Sequence, residues 1–94
     1  MKESYIYILT NKNKTVTYIG VTSNLKERIT QHKNNTGGSF TKKYSVHFLV
    51  YFEVFTSIEE AILREKQLKK WNKSWKWELI RKENRELLDL FSDL

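Results

Sequence analysis

YIYILT at residues 5–10 and VTYIGV at residues 16–21 are two runs of β-branched and aromatic residues near the start of the chain. The polar residues NKNK, at positions 11–14, separate them, and this pattern is typical of a β-hairpin. Gly20 lies inside the second run, and a glycine within a strand indicates that a ligand or another backbone segment comes close. The sequence therefore predicts two antiparallel strands with a point of close approach on the second.

The rest of the chain predicts one further strand and several helices. Residues 25–34 have the apolar spacing of a helix, residues 34–45 are polar and predict a surface loop, and residues 47–55 predict a third strand. Three segments with helical periodicity then follow. The first spans residues 57–71, the second contains Trp75, Leu79 and Ile80, and the third contains Leu87, Leu88 and Phe91. The order β-β-α-β-α-α-α predicts an α+β fold over residues 1–94, with a small three-stranded antiparallel sheet flanked by helices.

The composition excludes several classes of protein. The 94 residues are 39% hydrophobic and 30% charged, which is too apolar for a disordered chain and too finely interrupted for a membrane span. The chain has no cysteine, which excludes a disulfide framework or a thiolate-held metal, and its N-terminus lacks the pattern of a secretory signal. We therefore expect a single-domain cytoplasmic protein.

The charge is unevenly distributed around a net value of +6. Residues 1–82 carry sixteen basic and seven acidic side chains, whereas residues 83–94 carry one basic and four acidic ones. This basic body predicts a polyanionic partner, and a merely soluble, lysine-rich surface explains the charge equally well.

Three polar residues on helices and two tyrosines on strands are candidates for chemistry. Glu65 lies on an apolar helix face with Ile58, Ala61, Ile62 and Leu68, so its carboxylate needs a metal or a salt bridge to Arg or Lys. Arg28 and His32 are four residues apart and therefore neighbours, suited to gripping a phosphate and relaying a proton, although each is also an ordinary helix-edge residue. Tyr7 and Tyr18 form a cross-strand pair, which alone indicates only hairpin packing.

The order of these motifs resembles that of a known family. YIY at residues 5–7 and YIG at residues 18–20, followed by NLKERITQHK, look like the signature strands and first helix of the GIY-YIG nuclease superfamily. Residues 60–80 resemble its glutamate-bearing helix and the Lys/Trp-rich helix that follows. Residues 83–94 are similar to the Asn-Pro-x-Trp-x-Asp-Leu tail of its short bacterial single-domain members, which are like the N-terminal domain of the excision-repair nuclease.

The resemblance assigns a role to each candidate. Tyr7 and Tyr18 would be the motif tyrosines, Arg28 the phosphate-gripping arginine, His32 the group that shares a proton with a tyrosine, Glu65 the metal ligand and Gly20 the close-approach glycine. Asn84 and Asn72 are further candidates for the late asparagine found at the site in some members. Two departures from the pattern are Tyr5 in place of the first glycine and Asn84-Arg85 in place of Asn-Pro.

The resemblance implies an endonuclease that hydrolyses phosphodiester bonds with one Mg²⁺ or Mn²⁺ on Glu65. Arg28 would neutralise charge in the transition state. A tyrosine has an ordinary pKa of about 10, so Tyr7 needs His32, Arg28 or the metal close by before it can activate water, with Tyr18 as its hydrogen-bonded partner. DNA is the expected substrate ahead of RNA, in repair or in the processing of mobile or damaged DNA.

A basic cluster with interleaved tryptophans follows Glu65. It consists of Arg64, Lys66, Lys69, Lys70, Lys73 and Lys76, with Trp71, Trp75 and Trp77. These lysines are suited to tracking a nucleic-acid backbone, and the tryptophans are suited either to stacking on bases or, in the plainer interpretation, to helix packing.

Two other functions are compatible with this sequence. One is a catalytically silent nucleic-acid-binding module, which the presence of all five matched residues argues against, and the other is a protein-interaction domain. A domain this small has little surface for reading a base sequence, so specificity would come from a protein partner or from a homodimer formed through the edge of the strand at 47–55.

Overall fold

Three antiparallel strands form the centre of the fold in the computed structural model, which describes residues 3–34, 36 and 38–94. The strands are β1 (Ser4–Thr10), β2 (Thr17–Thr22) and β3 (Phe48–Phe55), in the spatial order β2-β1-β3. The helices are α1 (Leu25–Lys33), α2 (Ser39–Lys43), α3 (Ile58–Lys70) and α4 (Lys73–Glu83), with a 3₁₀ helix at Leu90–Asp93. The predicted α+β fold, with a three-stranded antiparallel sheet and helices in this order, is confirmed.

Strand β1 is the central strand, and its alternation decides which side chains reach the site. Ile6 and Ile8 point to one face of the sheet, whereas Tyr7 and Leu9 point to the other. Tyr7 lies directly opposite Gly20 of β2 in the antiparallel register. The Tyr7 side chain therefore passes over β2 at Gly20, the residue of β2 that has no side chain.

Each face of the sheet has its own hydrophobic core. The core under α3 and α4 contains Ile6, Ile8, Ile19, Val50, Tyr51, Ala61, Leu68, Trp77 and Ile80. The core on the α1 face contains Tyr7, Leu9, Leu25, Ile29, Val46 and Leu49. The sheet thus lies between two helical layers, and Tyr7 belongs to the layer that α1 covers.

Polar residues mark the beginning of the longer helices. The side chains of Asn24, Ser57 and Asn72 accept hydrogen bonds from the backbone N–H groups of Glu27, Glu60 and Trp75, respectively. Such caps satisfy N–H groups that have no partner inside the helix. Over residues 3–34, 36 and 38–94, no helix combines the length and the apolar character needed to cross a membrane.

The segment predicted as a loop at residues 34–45 contains helix α2, and that part of the prediction is wrong. Asn35 and Gly37 of the predicted loop lie outside the described residues. The helix has no side-chain cap, so local sequence gives it little support, but Thr41 and Phe40 fix it through contacts with distant residues. Tertiary contacts therefore override the loop-forming composition.

Two other expectations are corrected. Leu87 has a positive φ of 56°, which breaks the predicted last helix, and only Leu90–Asp93 forms a short 3₁₀ turn. Ile58 and Ile62 do not share the buried face of α3, because they are 39% and 36% exposed.

Candidate active site

A buried hydrogen-bonded chain joins β1, α1 and α2. The Tyr7 Oη lies 2.9 Å from Nε2 of His32, and Nδ1 of His32 lies 3.0 Å from Oγ1 of Thr41. The Thr41 hydroxyl donates its proton to the Gly38 carbonyl oxygen, so its oxygen accepts from His32. We infer that the imidazole carries its proton on Nδ1 and that Nε2 accepts from the Tyr7 hydroxyl.

Burial keeps this histidine neutral. His32 is fully buried, and desolvation, aided by the charges of Arg28 and His47, lowers its pKa from 6.5 to about 4. An uncharged imidazole at neutral pH has a free lone pair on Nε2. His32 therefore accepts a hydrogen bond from the Tyr7 hydroxyl rather than donating one to it.

The Tyr7 hydroxyl is held as a neutral phenol in the resting site. Burial raises the pKa of Tyr7 from 10.0 to about 12, and the nearby Tyr18 and Glu65 add to this, whereas a hydrogen bond from Arg28 acts in the opposite direction. Tyr18, Glu65 and Arg28 therefore all belong to the electrostatic surroundings of the Tyr7 hydroxyl oxygen. Additional positive charge near that oxygen would lower the pKa again.

Gly20 gives Tyr7 the space that this arrangement needs. A Cβ atom built on Gly20 would overlap the Tyr7 hydroxyl and ring. The predicted close approach on β2 is therefore an approach by the Tyr7 side chain. Any larger residue at position 20 would displace the tyrosine from His32.

Arg28 and Tyr18 form the accessible side of the site. Both side chains are half-buried, and the Arg28 guanidinium donates to the hydroxyl oxygens of Tyr7 and Tyr18 and, at 3.0 Å, to Oε1 of Gln31. The Tyr18 ring centroid lies 6.3 Å from that of Tyr7 and 5.6 Å from that of His32. Arg28 also lines a cavity of about 230 Å³, together with Thr22, Ser23, Asn24, Glu27 and Gln31.

Glu65 approaches from α3, the helical layer on the other side of the sheet. Its carboxylate is 20% exposed and forms an ion pair of 3.4 Å with Lys69, one turn along the helix. The predicted salt bridge is thus present, and the same carboxylate raises the pKa of Tyr7. In the described part of the chain, no group of three or more His, Asp and Glu side chains is arranged to enclose a metal.

This donor set fits a hard divalent cation that keeps most of its water. Mg²⁺ is commonly bound by one or two carboxylates together with water and substrate phosphate oxygens. Glu65 is the residue that would hold such an ion, in place of its ion pair with Lys69.

Comparison with known proteins shows the family of the chain. A family model described as the GIY-YIG catalytic domain matches residues 3–82. The chain belongs to the GIY-YIG family. GIY-YIG domains form a nuclease superfamily. The match covers residues 5–7 and 18–20, so the resemblance based on those motifs is confirmed.

Small bacterial proteins are similar to this GIY-YIG domain over most of their length. A UPF0213 protein of Clostridium perfringens is 40% identical over 77 residues, which are 82% of this chain and 82% of that one. A UPF0213 protein of Staphylococcus haemolyticus is 35% identical over 80 residues, which are 85% of this chain and 96% of that one. The solution NMR structure of a UPF0213 protein from Bacillus halodurans has a TM-score of 0.56 and 29% identity, over 87% of this chain and 86% of that one.

The late asparagines of this GIY-YIG domain have structural contacts. Asn72 caps α4. Asn84 is buried, and its Nδ2 donates to the carbonyl oxygens of Val50 and Leu88 at 3.0 and 2.8 Å, while its Oδ1 accepts from the Leu88 N–H. These bonds give both side chains a structural role, and a role in chemistry stays a prediction.

The predicted nucleic-acid-binding lysines lie on α3 and α4. Lys66, Lys69, Lys70 and Lys73 are exposed, and Lys76 is half-buried. Lys69 is paired with Glu65, and Lys73 donates to the Thr15 carbonyl oxygen. Trp77 is in the core, as the packing interpretation predicts, whereas Trp75 is 54% exposed.

Sequence reasoning missed Phe40 and Thr41. Thr41 fixes the tautomer of His32, and the Phe40 ring packs 5.6 Å from that of Tyr18. Both lie in the segment predicted as a loop, so no helical period indicated them. The one available signal was a phenylalanine among polar residues.

Proposed function

We propose that this GIY-YIG domain is a metal-dependent endonuclease that hydrolyses phosphodiester bonds in nucleic acid, and that its substrate is DNA. The observation that carries the proposal is the Tyr7 hydroxyl, which donates to a neutral, buried His32 and accepts from Arg28. A hydroxyl between a proton acceptor and a fixed cation is the arrangement expected for a group that takes a proton from water.

Arg28 is the residue that would bind the scissile phosphate. Its guanidinium is fixed by two tyrosine hydroxyls and Gln31 at the wall of a polar cavity. A guanidinium presents two parallel N–H donors to a phosphate and remains charged at any physiological pH. It would therefore bind the phosphate in the ground state and stabilise the added negative charge as the reaction proceeds.

Tyr7 and His32 would activate the attacking water together. The water proton passes to the Tyr7 oxygen while the Tyr7 proton passes to Nε2 of His32. The water oxygen forms a bond to phosphorus, the bond from phosphorus to the leaving oxygen breaks, and the leaving oxygen takes a proton from solvent. Burial opposes the positive charge that this transfer leaves on His32, and the negative charge growing on the phosphoryl group would offset that cost.

A divalent cation bound to Glu65, Mg²⁺ or Mn²⁺, would supply Lewis-acid stabilisation of the phosphate oxygens and lower the pKa of the nearby phenol. Glu65 is suited to holding it, because its carboxylate is partly exposed and its ion pair with Lys69 is a long one of 3.4 Å. Tyr18 packs beside Tyr7 and His32, and its hydroxyl would accept from Arg28 and so orient the guanidinium.

A catalytically silent nucleic-acid-binding module is the second candidate. The Glu65–Lys69 ion pair favours it, because an ammonium group then occupies the carboxylate that a metal would use. In that case the exposed lysines of α3 and α4 would bind phosphates without cleavage.

The deciding experiment is cleavage of labelled single-stranded, duplex and branched DNA and RNA, with Mg²⁺, with Mn²⁺ and with EDTA. We expect metal-dependent cleavage by the wild type and none by Glu65→Gln. Glu60→Gln is the matched control, because it removes the same charge from an exposed position of the same helix. Binding without cleavage under every condition would support the silent binding module instead of the nuclease. Cleavage by Glu65→Gln at the rate of the wild type would refute the metal site on Glu65.

The same assay identifies the base. Tyr7→Phe removes the hydroxyl that donates to His32, and we expect a loss of roughly 100-fold or more in the cleavage rate. Tyr18→Phe removes an acceptor for Arg28 and should cost less. A larger loss in Tyr18→Phe would reverse the roles of the two tyrosines.

A further inference from the structure

Three aromatic rings run in sequence from the candidate active site to the surface. The ring centroids of Tyr18 and Phe40 are 5.6 Å apart, and those of Phe40 and Tyr44 are 4.8 Å apart. At the inner end, Tyr18 packs 5.6 Å from His32. We call Tyr18, Phe40 and Tyr44 the aromatic ledge.

The outer part of the ledge is exposed and accompanied by positive charge. Phe40 and Tyr44 are each 41% exposed, although an aromatic side chain gains stability mainly when it is buried. Lys42 and Lys43 are exposed on the same short helix, and the Lys43 Nζ lies 5.3 Å from the centroid of the Tyr44 ring. Partly exposed aromatic rings beside cations form a surface that suits a planar group attached to phosphates.

The ledge is held at a fixed position relative to the catalytic groups. Thr41 lies between Phe40 and the lysines, is 1% exposed, and bonds to His32 and to the Gly38 carbonyl oxygen. The same side chain therefore fixes the tautomer of His32 and the placement of α2. A group stacked on the ledge would lie next to the phosphate bound by Arg28.

We propose that the aromatic ledge stacks an unpaired DNA base next to the scissile phosphate. This inference rests on the proposed function and names its substrate class: single-stranded DNA, or an unpaired segment attached to a duplex. In a duplex, each base face is covered by its neighbours, so only an unpaired base has a face free to stack on Phe40 or Tyr44. Lys42 and Lys43 would bind the phosphates on either side of that base.

A second aromatic surface, on the opposite side of the sheet, fits this role less well. Trp71 and Trp75 line an apolar cavity of about 400 Å³ together with Glu78, Leu79 and Lys82. None of the candidate catalytic residues lines that cavity, and the Glu78 carboxylate would repel a phosphate. The aromatic ledge, in contrast, is continuous with Tyr18.

The test is a binding measurement by fluorescence anisotropy, in EDTA so that no cleavage occurs. The probes are a labelled single-stranded oligodeoxynucleotide and the duplex of the same sequence. We expect Tyr44→Ala to weaken binding of the single strand roughly 5-fold or more, with little change for the duplex. Tyr44→Phe keeps the ring and should restore single-strand binding, and Phe40→Leu should weaken it as Tyr44→Ala does.

Trp75→Ala is the matched control, because it removes an exposed aromatic ring from α4 rather than from the ledge. It should leave the preference for single strands unchanged. The proposal is overturned if Tyr44→Ala weakens both probes equally or neither, or if Trp75→Ala alone removes the single-strand preference.

Cleavage by the wild type, measured in parallel, separates this proposal from the proposed function. If the wild type cleaves DNA and Tyr44→Ala binds single strands normally, the ledge proposal fails while the nuclease stands. If no substrate is cleaved and Tyr44→Ala still loses single-strand binding, the ledge stands and the nuclease fails.

Discussion

Replacement of Gly20 by alanine tests whether the space opposite Tyr7 controls both stability and catalysis. The new Cβ would overlap the Tyr7 hydroxyl and ring, and Tyr7 is only 1% exposed, so the ring has no free volume to enter. Overpacking of this kind costs about 1–3 kcal/mol, and loss of the 2.9 Å bond to His32 adds about 1 kcal/mol. We expect the free energy of unfolding to decrease by about 2–4 kcal/mol.

Urea denaturation and thermal unfolding measure this change. A loss of this size lowers the melting temperature of a domain of this length by roughly 10 to 25 °C. The denaturant slope should stay the same, since the fold itself is kept. Cleavage by the folded variant should fall roughly 100-fold, because the Tyr7 hydroxyl no longer reaches His32.

A second background makes the cause of the loss testable. Tyr7→Leu lacks every Tyr7 atom that the new Cβ would meet. In that background, Gly20→Ala should stabilise the protein by about 0.5–1 kcal/mol, because alanine restricts the unfolded strand more than glycine does. An equal loss of stability in both backgrounds would refute the reasoning.

Three further predictions concern single residues. Arg28→Lys keeps the charge but not the paired N–H donors, so kcat should fall roughly 100-fold with a smaller change in KM, as steady-state kinetics would measure. The pKa of His32 is lowered from 6.5 to about 4, so the unfolded chain binds a proton first as pH falls. The free energy of unfolding should therefore decrease as the pH falls from 6.5 toward 4. Denaturation measured at each pH should show that His32→Gln lacks the part of this decrease that comes from His32. Asn84→Ala leaves backbone groups of Val50 and Leu88 unpaired and should cost about 1–3 kcal/mol in denaturation, with unchanged activity per folded molecule; a loss of activity in the folded variant would give Asn84 a catalytic role.

Much of the fold was predictable because the strands and long helices have strong local signals. The runs at 5–10 and 16–21 alternate as strands do, and Asn24, Ser57 and Asn72 are typical caps. Helix α2 had no such signal, because it depends on the contacts of Phe40 and Thr41 with Tyr18 and His32. Those partners lie on other elements, so no local pattern could indicate them.

The sequence indicated the residues of the candidate site, whose roles stay predictions, but not how they are arranged. Spacing four residues apart correctly placed Arg28 and His32 as neighbours on α1, and the resemblance supplied Tyr7 and Glu65. The sequence contained no sign that Tyr7 would be buried against Gly20, nor that burial would lower the pKa of His32 and hold it neutral. These properties arise from packing across the sheet.

The C-terminal segment also has a role that its sequence did not indicate. The Asp89 carboxylate accepts from Lys33 at 2.6 Å and from the Leu49 N–H at 3.1 Å. It thereby joins the tail to α1 and to the start of β3. Part of the β3 edge, which was predicted to be available for a homodimer, therefore already has a hydrogen-bond partner within the chain.

Location of a bound metal ion is the most direct test of the proposed mechanism. Mn²⁺ titrated into isotope-labelled protein broadens the NMR signals of nearby nuclei, and it does so without requiring activity. We predict broadening at Tyr7, Arg28 and His32 that Glu65→Gln abolishes. Broadening centred on a different carboxylate, such as Glu53, or broadening that persists in Glu65→Gln, would contradict a metal site on Glu65.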